Sequence, residues 1–158
     1  LPQAAAETPL VRWEIVGGSQ EEFTNLVKIP VPENMHFAGS RPHSEMPLWI
    51  AAADACLVLG TARDTQSYRY TSPMKLFEYL AAGRPIIASN TPALREIVSE
   101  KEVLFYEPDD VRDLARVVQH ALSPTAELES QVGAAQQRAR SLSWRDRAER
   151  ILAFMGLG

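Results

Sequence analysis

The sequence predicts an α/β domain in which helices cover both sides of a parallel sheet. Two observations carry this. Short, apolar, β-branched segments alternate along the chain with segments of helical period, the arrangement expected of doubly wound parallel strands. Glycine- or polar-rich turns follow the strands, and in such sheets the carboxyl ends of the strands form the ligand crevice. No internal repeat or low-complexity segment competes with this architecture.

Residues 1–9 contain Ala and Pro and admit either a helical remnant or a frayed tail. Residues 10–16 are β-rich and end at Gly17-Gly18-Ser19, the turn from a strand into a helix over 21–27. Alone, the Gly17-Gly18 pair is a weak signal, because a glycine pair at a strand end is more often plain turn geometry. After a loop with Pro30 and Pro32, residues 35–38 form a strand ending at Gly39, and Ser40-Arg41-Pro42-His43 is a loop. Ser44 opens a helix running to Ala53, a strand covers 55–59, and a polar loop fills 60–71.

The most informative stretch comes next. Ser72 is suited to an N-cap, Pro73 to the first helical position, and Gly83 to the stop. A buried strand follows over 86–88, then a short helix over 93–98 and a strand over 103–106. The Asp109-Asp110 pair starts a helix with Val111, Leu114, Ala115, Val118, Ala121 and Leu122 on its core stripe. Helix 127–140 breaks at Ser141-Leu142-Ser143 and resumes at Trp144, with Ala148, Ile151, Leu152 and Met155 sharing a face.

A helix start concentrates unpaired N–H groups and the positive dipole end, which suits a phosphate. Here the amides of Met74 and Lys75 face such a ligand, Lys75 adds a mobile charge, and Arg69 a second cation. Glu78 lies three positions after Lys75 and four after Met74, on the same face. At 1.5 Å per residue its carboxylate falls on the order of 6 Å along the axis, where the ribose of a nucleoside diphosphate would sit. The same residues also admit a plainer reading, an ordinary cap and an exposed Lys75–Glu78 pair.

With its neighbours, this segment resembles the donor-site helix of GT-B glycosyltransferases, closest to retaining family 4 (group 1). Members of that family often carry Ser-Pro-x-Lys-x-x-Glu-Tyr followed by Ala-x-Gly-x-Pro, matched here by Ser72 to Tyr79 and Ala81 to Pro85. The similarity extends to Ile15-Val16-Gly17-Gly18, Met35 to Gly39, Ala53-Asp54-Ala55, Leu94 to Ile97, Pro108 to Val118 and Ser143-Trp144. It implies a Rossmann-like, C-terminal half of a GT-B fold, with residues 1–158 a single donor-binding domain. It implies transfer of a sugar from a nucleoside diphosphate sugar to an acceptor, with retention, and roles in catalysis for Lys75 and Glu78. Gly17, Gly18, Ser72, Met74 and Lys75 would face the diphosphate, Arg41 the nucleobase and Glu78 the ribose, with Arg69 and Thr71 also part of the donor site.

Two departures stand out. The position eight residues before the ribose carboxylate, often acidic in the family, is Tyr70. The family's first strand and its acceptor-binding N-terminal domain have no counterpart in this sequence, so a fragment that is inactive alone and prone to self-association is expected. A nucleotide-binding or interaction module without catalysis is the alternative. A sugar-nucleotide epimerase is disfavoured, because no carboxylate and histidine pair for proton transfer is legible.

Composition narrows the partners. A net charge of -4 and a pI near 5.4 disfavour nucleic acid. There is no Asp-x-Asp and no His or Cys cluster of ligand spacing, so no metal or cofactor is expected beyond the sugar-nucleotide substrate. Cys56 reads as core packing, His36 as half-buried filler and His120 as a surface residue, with His43 the best-placed histidine for a role in chemistry. Arg138, Arg140, Arg145, Arg147 and Arg150 form a basic stripe read as a solvated face, with contact to anionic lipid as the alternative. A cytoplasmic protein, at most touching the inner face of a membrane, is expected.

Overall fold

A computed structural model describes residues 1–156; the Trp144 side chain lies outside that description. Among the described residues there are five strands, β1 Trp13–Val16, β2 Met35–Gly39, β3 Cys56–Val58, β4 Ile86–Ser89 and β5 Leu104–Tyr106. The helices are α1 Pro2–Glu7, α2 Gln20–Val27, α3 Met46–Ala52, α4 Thr65–Arg69, α5 Met74–Ala81, α6 Pro92–Arg95, α7 Val111–Ala121, α8 Ala126–Arg140 and α9 Trp144–Phe154, with a 3₁₀ turn at His43–Glu45 before α3.

All strand pairing is parallel, as the alternation requires, but the strands form two sheets, β1-β2 and β3-β4-β5. One core joins them. Trp13 and Met35 of the first sheet pack in one cluster with Ile87 and Tyr106 of the second, beneath Leu114, Val117 and Val118 of α7 and Ala4 and Ala5 of α1. A second cluster lies on the opposite face of β3-β4-β5, where Val58, Ile86 and Ala88 meet Leu76 and Leu80 of α5 and Ala135 of α8. That sheet is buried on both faces, and β4 reads as a continuous apolar run for that reason.

The β1-β2 pair differs. Trp13 and Met35 turn inward, whereas Glu14 and His36, register partners on the other face, are exposed. His36 is therefore not half-buried: its side of the sheet is open to solvent.

The N-terminal segment is a helix built into the core. Ala4 and Ala5 are fully buried, and Thr8 accepts a bond from Trp13 Nε1 at 3.0 Å while donating to the Ala4 carbonyl at 2.9 Å. Asn34 Nδ2 donates to the carbonyls of Ala5, Thr8 and Val11 at 2.9, 3.0 and 2.8 Å, tying this segment to the start of β2. Asn34→Ala removes the donor from three carbonyls at once and is expected to cost about 1–3 kcal/mol, read as a lowered denaturation midpoint with an unchanged slope.

Several boundaries shift. The loop at 60–71 contains α4, capped by Asp64, which accepts from the amides of Gln66 and Ser67. Asp110 caps α7 while Asp109 adopts φ 64°, so the two aspartates divide the turn between them. On α7 Val117 is buried, and Leu122, placed on the core stripe by spacing, sits at the exposed helix end.

Candidate functional site

The carboxyl ends of β1 and β2 are held together at two glycine turns. Gly17, Gly18 and Gly39 have φ of 99°, 75° and 71°, a region that only glycine occupies freely, and Gly17 N–H donates to the Gly39 carbonyl at 2.9 Å. A Cβ on Gly17 or Gly39 would meet nothing within 4 Å, so space stands open over both turns. The turn after β1 feeds α2 through a capping box, with Ser19 and Glu22 exchanging bonds at 2.7 and 3.2 Å.

The segment after β2 reaches α5. His43 Nε2 lies 3.3 Å from Glu78 Oε1, so the turn at the end of β2 and the middle of α5 meet across 35 residues of sequence. Through the Gly17–Gly39 bond and this contact, three of the predicted site segments are joined. Arg41 lies in the same loop with its guanidinium stacked over Trp49 of α3, 5.6 Å from the ring centroid.

The start of α5 differs from expectation by one residue. Pro73, not Ser72, is the N-cap, and no side chain caps the helix. A cap needs its oxygen at the N-cap position itself, and Ser72 sits one position too early. The amides of Met74 and Lys75 consequently have no hydrogen-bond partner among the described residues, while Leu76 N–H bonds the Pro73 carbonyl at 3.1 Å. Thr71 Oγ1 donates to the Gln66 carbonyl at 3.1 Å and serves the turn after α4. Lys75 and Arg69 are exposed and make no ion pair among the described residues. The plainer reading of Lys75 and Glu78 as a paired surface couple does not hold, because the carboxylate turns to His43.

α5 is positioned by its buried side. Leu76 and Leu80 are fully buried between β3-β4 and α8, which leaves Met74, Lys75 and Glu78 on the outward side. Gly83, with φ 70°, ends the helix region, and a Cβ there would stand 2.7 Å from Gln136 Nε2 on α8. Behind the helix, burial pushes the Cys56 thiol up to about 11, against the pull of Arg84, and the Tyr79 phenol up to about 12. Cys56 is thus a core residue and not a thiolate nucleophile.

Sequence reasoning missed a clamp beside the site. Asp109 accepts from Thr61 Oγ1 at 2.7 and 2.9 Å and from Ala62 N–H at 2.9 Å, with Arg63 Nε at 3.9 Å. It fixes the β3–α4 loop that leads to Arg69 and Thr71. The available signal was an Asp-Asp pair, since only one of two adjacent aspartates can cap a helix and Asp tolerates the left-handed region. Burial raises the Asp109 carboxyl, but these bonds and Arg63 outweigh it and hold the pKa below the usual value. A depressed folded-state pKa contributes stability above the unfolded value, about 3.9, and loses it as pH falls through the folded value. Acid unfolding of the wild type is therefore expected to be steeper below about pH 4 than that of Asp109→Asn, read from denaturation midpoints at pH 3 and pH 6.

A family model described as glycosyl transferase-like matches residues 1–153. The chain belongs to that glycosyl transferase-like family. No curated protein matches it. Among solved structures, this glycosyl transferase-like chain is similar to sucrose-phosphate synthase of Thermosynechococcus elongatus, at 23% identity and a TM-score of 0.74 over 96% of this chain and 39% of that one. HepE of Anabaena in complex with UDP shows 18% identity and a TM-score of 0.79 over 99% and 44%. A glycosyltransferase of Rickettsia africae shows 17% and 0.76 over 98% and 42%. The Rossmann-like α/β fold expected of a GT-B enzyme is thus shared with glycosyltransferases of known structure, and the chain spans about two fifths of each of these relatives.

Proposed function

We propose that this chain is the C-terminal, donor-binding domain of a retaining family 4 glycosyltransferase, which transfers a sugar from a nucleoside diphosphate sugar to an acceptor. The observation that carries the reading is α5 itself. It presents two unpartnered amides and a free ammonium at its start and a carboxylate one turn on, at the carboxyl ends of parallel strands. The diphosphate sits at Met74 and Lys75 with Arg69 alongside, the ribose at Glu78 and the base near Arg41. Complexes of the similar HepE with UDP and with UDP-glucose support a sugar-nucleotide ligand.

Charge building on the leaving diphosphate is stabilised by the helix start, Lys75 and Arg69, preorganised donors that act without a metal in this proposal. The acceptor binds to an N-terminal domain beyond this chain. A missing first strand is supported by the division into two parallel sheets over one core, which leaves each sheet with its own unpaired edges. Those open edges favour self-association of the isolated domain. The whole enzyme works on the cytoplasmic side, and Arg145 and Arg150 beside the exposed Ile151, Leu152 and Phe154 of α9 suit contact with a membrane face.

A second reading, a nucleotide-binding module without catalysis, is favoured by the exposed Tyr70 at the position that is often acidic. Titration calorimetry with UDP, GDP and ADP tests the binding claim, and saturable binding of one of them is expected. Sugar transfer by a longer protein containing this domain, lost in Lys75→Ala, separates the enzyme from the module. Binding without transfer sinks the enzyme.

A further inference from the structure

His43 and Glu78 are 35 residues apart in sequence, on different elements, yet each makes its one side-chain hydrogen bond among the described residues to the other. The imidazole is 87% exposed and the carboxylate 39%, so burial does not force them together. Other charged groups near His43 are engaged elsewhere or unbonded. Glu45 accepts from Trp49 Nε1 at 3.4 Å, Arg41 stacks on the same ring, and Lys75, one turn before Glu78, pairs with nothing among the described residues.

We infer that His43 is a positioning residue for Glu78: it orients the carboxylate for the ribose hydroxyls. This rests on the nucleotide reading of α5. A carboxylate has about four acceptor sites, so Glu78 can accept from His43 and still take both hydroxyls of a vicinal diol. Glu78 is otherwise a long, half-exposed side chain with several rotamers, and a donor fixed on the 3₁₀ turn before α3 selects among them before the ligand arrives.

Two measurements on the same protein decide the matter. Kd values are expected to be non-additive between His43→Ala and Glu78→Ala, the double variant losing little more than Glu78→Ala alone, and additive losses overturn the pairing. For the nucleotide that binds, His43→Ala is expected to raise Kd about 2- to 5-fold, the range of an exposed pair. His43→Gln, which keeps a donor, is expected to restore most of the affinity. Binding that weakens in Glu78→Ala but is indifferent to His43→Ala overturns the positioning role alone. A wild type that binds none of UDP, GDP and ADP overturns the nucleotide reading, and the ribose role of His43 with it.

Discussion

Glu78→Ala is expected to weaken nucleoside diphosphate binding about 10- to 150-fold, because bonds to a charged acceptor contribute about 1.5–3 kcal/mol and alanine leaves the ribose hydroxyls unpartnered. Its cost to folding should be small. The carboxylate is partly exposed, and its one hydrogen bond among the described residues, with His43, is also at the surface. Lys75→Ala is expected to weaken the same ligand about tenfold through the diphosphate, with a weaker salt dependence than the wild type, since a mobile ammonium acts as a screened point charge. The two effects belong to different parts of the ligand. A nucleoside without phosphate should therefore feel Glu78→Ala and be nearly indifferent to Lys75→Ala. Calorimetry on both variants with UDP and uridine checks this, provided UDP is the diphosphate that binds.

Leu76→Ala has the largest expected effect on stability, about 2–5 kcal/mol. Leu76 is fully buried in the cluster of Val58, Leu80, Ile86, Val103 and Ala135, where β3, β4, α5 and α8 meet, so the lost side chain leaves a cavity that few neighbours can collapse into. Against a typical domain stability of about 5–15 kcal/mol this is a large fraction. The same leucine lies between Lys75 and Glu78 in sequence but on the opposite side of the helix. Losing it should loosen the seat of the site, and nucleotide affinity should fall along with the denaturation midpoint. Met74→Ala is the contrast: Met74 is 66% exposed, and its truncation should stay within about 0.5 kcal/mol.

The outline of α5 was legible because independent local signals agreed on it: a proline near the start, apolar residues at helical spacing, and Gly83 at the end, where φ is 70°. The cap was off by one, since Ser72 and Pro73 both satisfy start rules and only the backbone decides between them. Features made by distant residues were not legible. Nothing in Asn34 announces a bridge to three carbonyls, and nothing in Pro108-Asp109-Asp110 says that Asp109 will reach back to Thr61 and Ala62. The Ala-rich start was unreadable because alanine suits both a frayed end and a tight helix contact; its burial depends on α7. The division of the sheet was hidden for a related reason. Periodicity identifies strands, whereas their pairing is decided by which edges meet.

Amide chemical-shift mapping by NMR, on this 17.5 kDa chain titrated with UDP, GDP and ADP in turn, tests the central claim most directly. The account predicts that one of them moves the amides of Met74 and Lys75 most, together with Gly17, Gly18 and Glu78, while α9 stays still. Shifts confined to α9, or no saturable shift with any of the three, would contradict it.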